Sequence, residues 1–277
     1  MDDTYIELQR EFFKLSEEYT NSAASDSVDI AQGLGLKTFD LLKWDQLLKK
    51  RRVILLSEAG SGKTFEIIEQ AQRLHKDKKY SFFLRLEHVS DYFEICFEEA
   101  GSHSEFQEWL DSNEEAWVFL DSVDESKLKD ESAFEKAILK LNLELNKGFS
   151  RAHIFITSRA SSWRPKTDLH FCNKKLPYNN KENAFEVYGV NELNRQQIEK
   201  FIAFKGVNNI DAFINDIERH NAWAHTARPI DLEDLLEFWN ENQTIGTPLQ
   251  IQENSICRRL KEPKRKIEDA VNTPADD

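Results

Sequence analysis

Short runs of consecutive apolar residues alternate with longer stretches of helical spacing over most of this chain. Val53–Leu56 and Trp117–Leu120 are such runs, and His153–Thr157 is strand-like around Ile154–Ile156, each closed by polar residues. They read as buried strands of a parallel sheet, which need apolar residues on both faces. Tyr80–Leu86 and Ala184–Val190 read as two further strands. Between them, apolar positions recur with helical period in Lys63–Leu74, in two short segments within Asp91–Trp109, and in Glu131–Asn146. Phe39–Leu48 predicts a helix leading into the first strand. Alternating strands and helices imply an α/β fold with a parallel sheet and right-handed crossovers.

The pattern changes at both ends. Beyond Glu192 the strand signal stops, and Gln196–Phe204, Ile210–Ile217 and Asp231–Trp239 read as helices. Asn194 followed by Gln197 has the spacing of a capping box. Gln243–Pro248 reads as a turn, Ile251–Leu260 as one more helix, and the remainder as a polar tail. At the other end, Tyr5, Leu8, Phe12, Phe13 and Leu15 predict an amphipathic helix over Thr4–Tyr19, with Asn21–Asp29 as a linker. The expected organisation is a helix and linker over 1–29, an α/β core over 30–191, a helical lid over 192–246, and a helix with tail over 247–277.

The Val53–Leu56 run carries the most specific chemistry, because it continues as Ser57-Glu58-Ala59-Gly60-Ser61-Gly62-Lys63-Thr64. Small residues let successive backbone N–H groups turn inward around an anion, and the helix that begins there adds its positive end. Lys63 is placed to reach the β- and γ-phosphates of a nucleotide, with the Thr64 hydroxyl on Mg²⁺. Ser57 stands where the G-x-x-x-x-G-K-S/T pattern has its first glycine. The bland alternative is a turn and a helix start.

A second run, Trp117-Val118-Phe119-Leu120-Asp121, ends in an acid and continues Ser122-Val123-Asp124-Glu125. Hard cations take oxygen ligands and keep several waters, so Asp121 is the expected metal-side carboxylate, acting through water. Asp124 and Glu125 follow, where one could polarise an attacking water. The bland alternative is a solvated acidic turn. The third run passes into Thr157-Ser158-Arg159, and Arg159 is placed to sense or stabilise charge at the γ-phosphate.

Together, SEAGSGKT, FLDSVDE and ITSR resemble the NACHT-type branch of the STAND P-loop ATPases. DSVDE matches that branch's acidic block. Ala227-Arg228-Pro229 is similar to its Gly-x-Pro turn, with Ala227 in place of the glycine, so Pro229 is the one residue carried over as an adenine contact. The resemblance spans roughly residues 38–240. It implies a P-loop NTPase sheet of order 5-1-4-3-2 and a nucleotide-gated switch that binds ATP or ADP with Mg²⁺. It further implies self-association on activation, often in signalling or anti-phage defence. Such proteins continue into a winged-helix domain and repeats, so the chain resembles the N-terminal portion of a longer one, with effector or sensor domains beyond its end. Two other classes stay open: a nucleotide-locked scaffold with negligible hydrolysis, and a small-molecule kinase.

Composition narrows the partners. The chain has 277 residues, 37 basic and 50 acidic, for a net charge of −13. That balance argues against binding a nucleic-acid backbone as the main activity. Lys49–Arg52 ends a helix, where cations complement its dipole, and Lys261–Lys266 reads as a solvated tail. The three cysteines are widely separated and offer neither a disulfide framework nor metal-ligand spacing, as in a reducing cytosol. No run approaches the roughly 18 apolar residues of a membrane span, and the start MDDTYIELQREFF has acids where a secretory signal needs positive charge. Trp44 and Phe39, just before the first strand, read either as core residues or as flanks for an adenine. Ser161–Pro165 reads as a mobile reporting loop or an ordinary surface loop.

Overall fold

The computed structural model describes residues 6–15, 41–90, 92–121, 131–178, 184–247, 249–254, 256 and 257. The chain divides into two units, Gln9–Asn191, and Glu192–Asp277 together with Met1–Leu8.

The first unit is built on β3 (Arg52–Ser57), in which all six residues are buried. It pairs in parallel with β7 (Ala152–Arg159) and β8 (Glu186–Val190). β6 (Ala116–Asp121) lies parallel between β7 and β4 (Tyr80–Arg85). Three short strands extend this set antiparallel: β1 (Glu11–Lys14) on β8, β2 (Leu42–Lys43) on β1, and β5 (Phe97–Glu98) on β4. The sheet is therefore eight-stranded and mixed, in the order β2-β1-β8-β3-β7-β6-β4-β5. This differs from the order 5-1-4-3-2 implied by the resemblance, which counts parallel strands alone. The five parallel strands here run β8-β3-β7-β6-β4, and the difference lies in the three antiparallel additions. Two of these have only two residues, too few to show any alternation.

Successive side chains of a strand point to opposite faces, so β3 feeds two cores. Ile54 and Leu56 pack with Phe82, Leu84, Val118, Leu120, Ile154 and Ile156 on one face. That face is covered by α4 (His103–Asp111) and α5 (Glu131–Leu145) through Phe106, Trp109, Ile138 and Leu141. Val53 and Leu55 pack with Phe83, Phe119 and Phe155 on the other. There α2 (Lys63–Lys76) adds Ile67, Ala71 and Leu74, and α1 (Trp44–Leu47) adds Trp44 and Leu47. The result is a three-layer α/β unit.

Several expected elements differ. The described part of the helix expected over Thr4–Tyr19 holds no helix: residues 6–10 are irregular and Glu11–Lys14 form the strand β1. The edge of β8 offers unpaired backbone groups, and Phe12, Phe13 and Lys14 pair there with Val190, Gly189 and Tyr188, burying Phe12. Tertiary pairing thus overrides the helical spacing. Of the helix expected over Phe39–Leu48, the described residues 41–48 are helical only over Trp44–Leu47, because Leu42–Lys43 is taken up as β2. The stretch after β4 holds α3 (Leu86–Val89), a 3-10 turn at Phe93–Ile95, and β5 before α4. Neither the short α3 nor α6 (Pro165–Lys175) was expected from the sequence.

At the amino end of β3, Arg52 is buried and its guanidinium is ringed by carbonyls. It donates to Leu176 O at 3.0 Å, Ala152 O at 2.5 Å, Phe149 O at 3.1 Å and Pro177 O at 3.2 Å. Burial, and then the charge of Arg51, push its pKa down to about 10, which leaves it charged at neutral pH.

The second unit packs α7 (Arg195–Phe204), α8 (Ile210–Arg219) and α9 (Pro229–Asn242) around Ile198, Ile202, Phe213, Ile217, Leu235 and Trp239, with Leu8 in the same core. The capping box at α7 is present: Asn194 N donates to Gln197 Oε1 at 2.9 Å, and Gln197 N to Asn194 Oδ1 at 3.0 Å. Residues 249–254 are helical. Among the described residues no helix is long and apolar enough to cross a membrane.

Candidate functional site

The parallel strands deliver their carboxyl ends to one edge of the sheet, and the sequence motifs gather there. β3 ends at Ser57, and the loop through Gly62 turns the chain into α2. Gly60 and Gly62 adopt φ of 75° and 86°, left-handed values at which a side chain would be strained. Gly62 is the N-cap of a 14-residue helix, so the positive end of α2 faces this loop. The Lys63 ammonium arches back across it, donating to Ser57 O at 3.0 Å and Glu58 O at 3.2 Å. Ser57 has a use that glycine lacks: its hydroxyl lies 2.5 Å from the Ser61 hydroxyl, bridging the loop from within. Glu58 and Ala59 complete the loop.

Thr64, the next residue of α2, donates its hydroxyl to Asp121 Oδ2 at 2.8 Å. Asp121 ends β6, is 2 % exposed, and accepts on its other oxygen from Thr157 at 2.6 Å. Arg85, its register partner at the end of β4, brings Nη1 to 3.5 Å from Oδ2. Burial works against the Arg85 charge, but the Glu98 carboxylate (2.8 Å) and Asp121 outweigh it and raise its pKa. The buried acid is thus fixed from three sides by a helix start and two neighbouring strands.

Thr64 and Asp121 supply two hard oxygen donors in contact. Mg²⁺ is usually held by one or two carboxylates or hydroxyls together with waters and substrate phosphates, and this donor set fits that habit. Among the described residues no group of three or more His, Cys, Asp or Glu assembles into a metal cage.

The remaining expected residues divide. Arg159 ends β7 directly opposite Ser57 in the register, beside the loop. Asp124 and Glu125 lie outside the described residues, as does Phe39. Pro229 is the first residue of α9, in the helical unit. Trp44 is a core residue: it is buried, meets Phe12 edge-on at 4.7 Å, and donates Nε1 to Glu66 Oε2 at 2.8 Å. The segment after Arg159 is an anchored turn, since Trp163 is buried, donates its backbone N–H to Arg159 O at 3.1 Å, and meets Phe134 at 6.2 Å.

Three contributors escaped the sequence reading. Thr157 lies inside a run that was read, one strand over from Asp121. Arg85 was discoverable as the last residue of the strand that neighbours the acidic one. Arg10, which donates Nη1 to Ser61 O at 2.8 Å, has no motif of its own.

No family model and no curated protein matches this chain. Among solved structures it is similar to a Walker-type ATPase of Pyrococcus abyssi, with 8 % identity, a TM-score of 0.40, and coverage of 80 % of this chain and 73 % of that one. At this identity and score the two chains share too little for the similarity to bear on function.

Proposed function

We propose that this chain is a Mg²⁺-dependent ATP-binding P-loop ATPase of the switch type. The observation that carries the reading is the Thr64–Asp121 hydrogen bond of 2.8 Å at the start of α2, beside the loop that Lys63 spans. A backbone turn, a helix start, a lysine, a hydroxyl and a buried carboxylate on one edge of a sheet are the parts that nucleotide phosphates and Mg²⁺ require together.

In this reading Lys63 and the N–H groups of Ser57–Thr64 hold the β- and γ-phosphates of ATP or ADP. Thr64 and Asp121 hold Mg²⁺, which when bound neutralises phosphate charge. Glu125, with Asp124, takes a proton from the water that attacks the γ-phosphorus. Arg159 balances charge that develops on the γ-phosphoryl oxygens. The finer reading, a NACHT-type STAND switch in which nucleotide state gates self-association in signalling or defence, is supported by the DSVDE block and the Ala227-Arg228-Pro229 turn. In it Pro229 contacts adenine, and the protein works in the cytoplasm.

The test uses the whole chain. Nucleotide released from purified protein is identified, and Mg²⁺-dependent ATP hydrolysis is measured for the wild type, Lys63→Ala and Glu125→Gln. Lys63→Ala should weaken ATP binding by about 2–4 kcal/mol, the scale for truncating a buried charge contact. Glu125→Gln should keep binding and lose about two to four decades of turnover, the scale of a general base. Near-wild-type ATP affinity in folded Lys63→Ala would sink the reading. Tight nucleotide without turnover in the wild type would make the protein a nucleotide-locked scaffold.

A further inference from the structure

The chain passes between its two units twice, at Leu8–Gln9 and at Asn191–Glu192. Both crossings lie at the same place on the sheet. Asn191 follows β8, Gln9 precedes β1, and Asn191 N donates to Glu11 O at 2.9 Å. Gln9 turns there with φ of 50°, a left-handed conformation rare for a residue with a side chain. Between the crossings sits Arg10, 2 % exposed. It donates Nη2 to Asn191 O at 2.7 Å and Nη1 to Ser61 O at 2.8 Å. One buried guanidinium therefore joins the paired crossings to the middle of the phosphate loop, its two acceptors lying 51 and 181 residues further along the chain.

We infer that Arg10 is the positioning residue through which the phosphate loop and the paired crossings are coupled, a role that rests on nucleotide binding at that loop. The peptide joining Ser61 to Gly62 is planar, so its C=O and N–H point in opposite directions. With the Ser61 carbonyl held by Arg10, the Gly62 N–H is turned away from Arg10. Phosphate oxygens recruit backbone N–H groups of this loop, and any rotation of that peptide moves the carbonyl that Arg10 holds. A rigid fork bonded at both tips carries the displacement to Asn191. A buried cation keeps its acceptors, because leaving a charge without partners in the interior is costly. Lysine does not substitute: its single ammonium lacks the planar, two-pronged reach.

The test compares wild type, Arg10→Met and Arg10→Lys as full chains, with MgADP as the probe. Calorimetry gives ADP affinity, and hydrogen exchange follows the Asn191 amide with and without MgADP. In the wild type, MgADP should slow that amide by about fivefold or more, the lower end of coupling between sites. Arg10→Met should still bind ADP, within about tenfold of wild type for the loss of one hydrogen bond to the loop, yet show less than about a twofold change at Asn191. Arg10→Lys should fall between. Wild-type slowing in Arg10→Met with ADP bound overturns the inference, as does an unresponsive Asn191 in wild-type protein that binds ADP. If Arg10→Met does not fold, Arg10→Lys decides: full slowing overturns the coupling role, and reduced slowing at retained affinity supports it. Wild-type protein that binds no ADP overturns the nucleotide reading and the inference together, and calorimetry separates that case from the others.

Discussion

Thr157 donates its hydroxyl to Asp121 at 2.6 Å, from a strand that sequence order places 36 residues away. The bond fixes the carboxylate plane and leaves Oδ2 for Thr64. Thr157→Val keeps the shape and removes the donor. It should lower the Mg²⁺ affinity of the ADP complex by about tenfold, the usual lower scale for losing a group that orients a metal ligand. Asp121→Asn should remove the Mg²⁺ dependence of ADP binding altogether. Magnesium titrations with a fluorescent ADP analogue measure both. Unchanged midpoints in both variants would take the metal away from Asp121.

Arg159 ends β7 opposite Ser57, so its backbone is fixed beside the loop. If its guanidinium reads the γ-phosphate, Arg159→Ala should weaken ATP by about 1.5–3 kcal/mol, the worth of a charged hydrogen bond, and leave ADP nearly untouched. Calorimetry with both nucleotides checks this. Equal losses would make Arg159 structural.

The strands that carry the site could be read from sequence because burial on both faces forces unbroken apolar runs, as in Val53–Leu56 and Trp117–Leu120. The turn from β3 into α2 was legible because left-handed turns and a helix start demand particular residues: Gly60 and Gly62 take the left-handed positions, and Lys63 and Thr64 open the helix. What sequence hid is what tertiary pairing supplies. Phe12 and Phe13 carry helical spacing, yet the open edge of β8 takes them as strand. Helix α6 was missed because it buries polar groups: Asp168 accepts from Arg164 N at 2.9 Å, and Asn173 Oδ1 from Phe185 N at 2.9 Å. No apolar period marks such a helix. Arg85 becomes a functional candidate only through sheet register, and Arg10 only through its hydrogen bond to Ser61 O.

Arg52 gives a control for the site predictions. It braces the amino end of β3, the far end of the strand from the Ser57–Gly62 loop. Arg52→Met would leave the carbonyls of Phe149, Ala152, Leu176 and Pro177 without this donor. The expected loss of stability is about 2–4 kcal/mol, since buried acceptors left unmade cost about 1–3 kcal/mol each before relaxation. Urea unfolding measures it. Nucleotide affinity of the folded variant should stay within about threefold of wild type, because those four carbonyls are remote from the site and distant effects add independently. A large affinity loss would show that the base of β3 sets the loop geometry.

Asp216 offers a pH test in the helical unit. Its buried carboxylate accepts Ile245 N at 2.8 Å and Thr244 Oγ1 at 3.0 Å, and pairs with Arg219 and, at 3.4 Å, His220 Nδ1. Burial opposes the charge, but the Ile245 N–H, the Thr244 hydroxyl and Arg219 outweigh it and lower the pKa. Arg219 is 70 % exposed, so that ion pair is screened, and the N–H and hydroxyl carry most of the effect. A lowered folded value means that the unfolded chain binds the proton more readily. The contribution is therefore complete above the ordinary aspartate value of about 3.9 and declines as pH falls through the lowered folded value. Asp216→Asn removes the charge at every pH. It should cost about 1.5–3 kcal/mol near neutrality, the scale of a charged hydrogen bond. The gap between variant and wild type should then narrow below about pH 4. Urea midpoints of both proteins from about pH 2.5 to pH 7 give the comparison. A gap that stays constant across that range would mean that Asp216 acts through shape and not through charge.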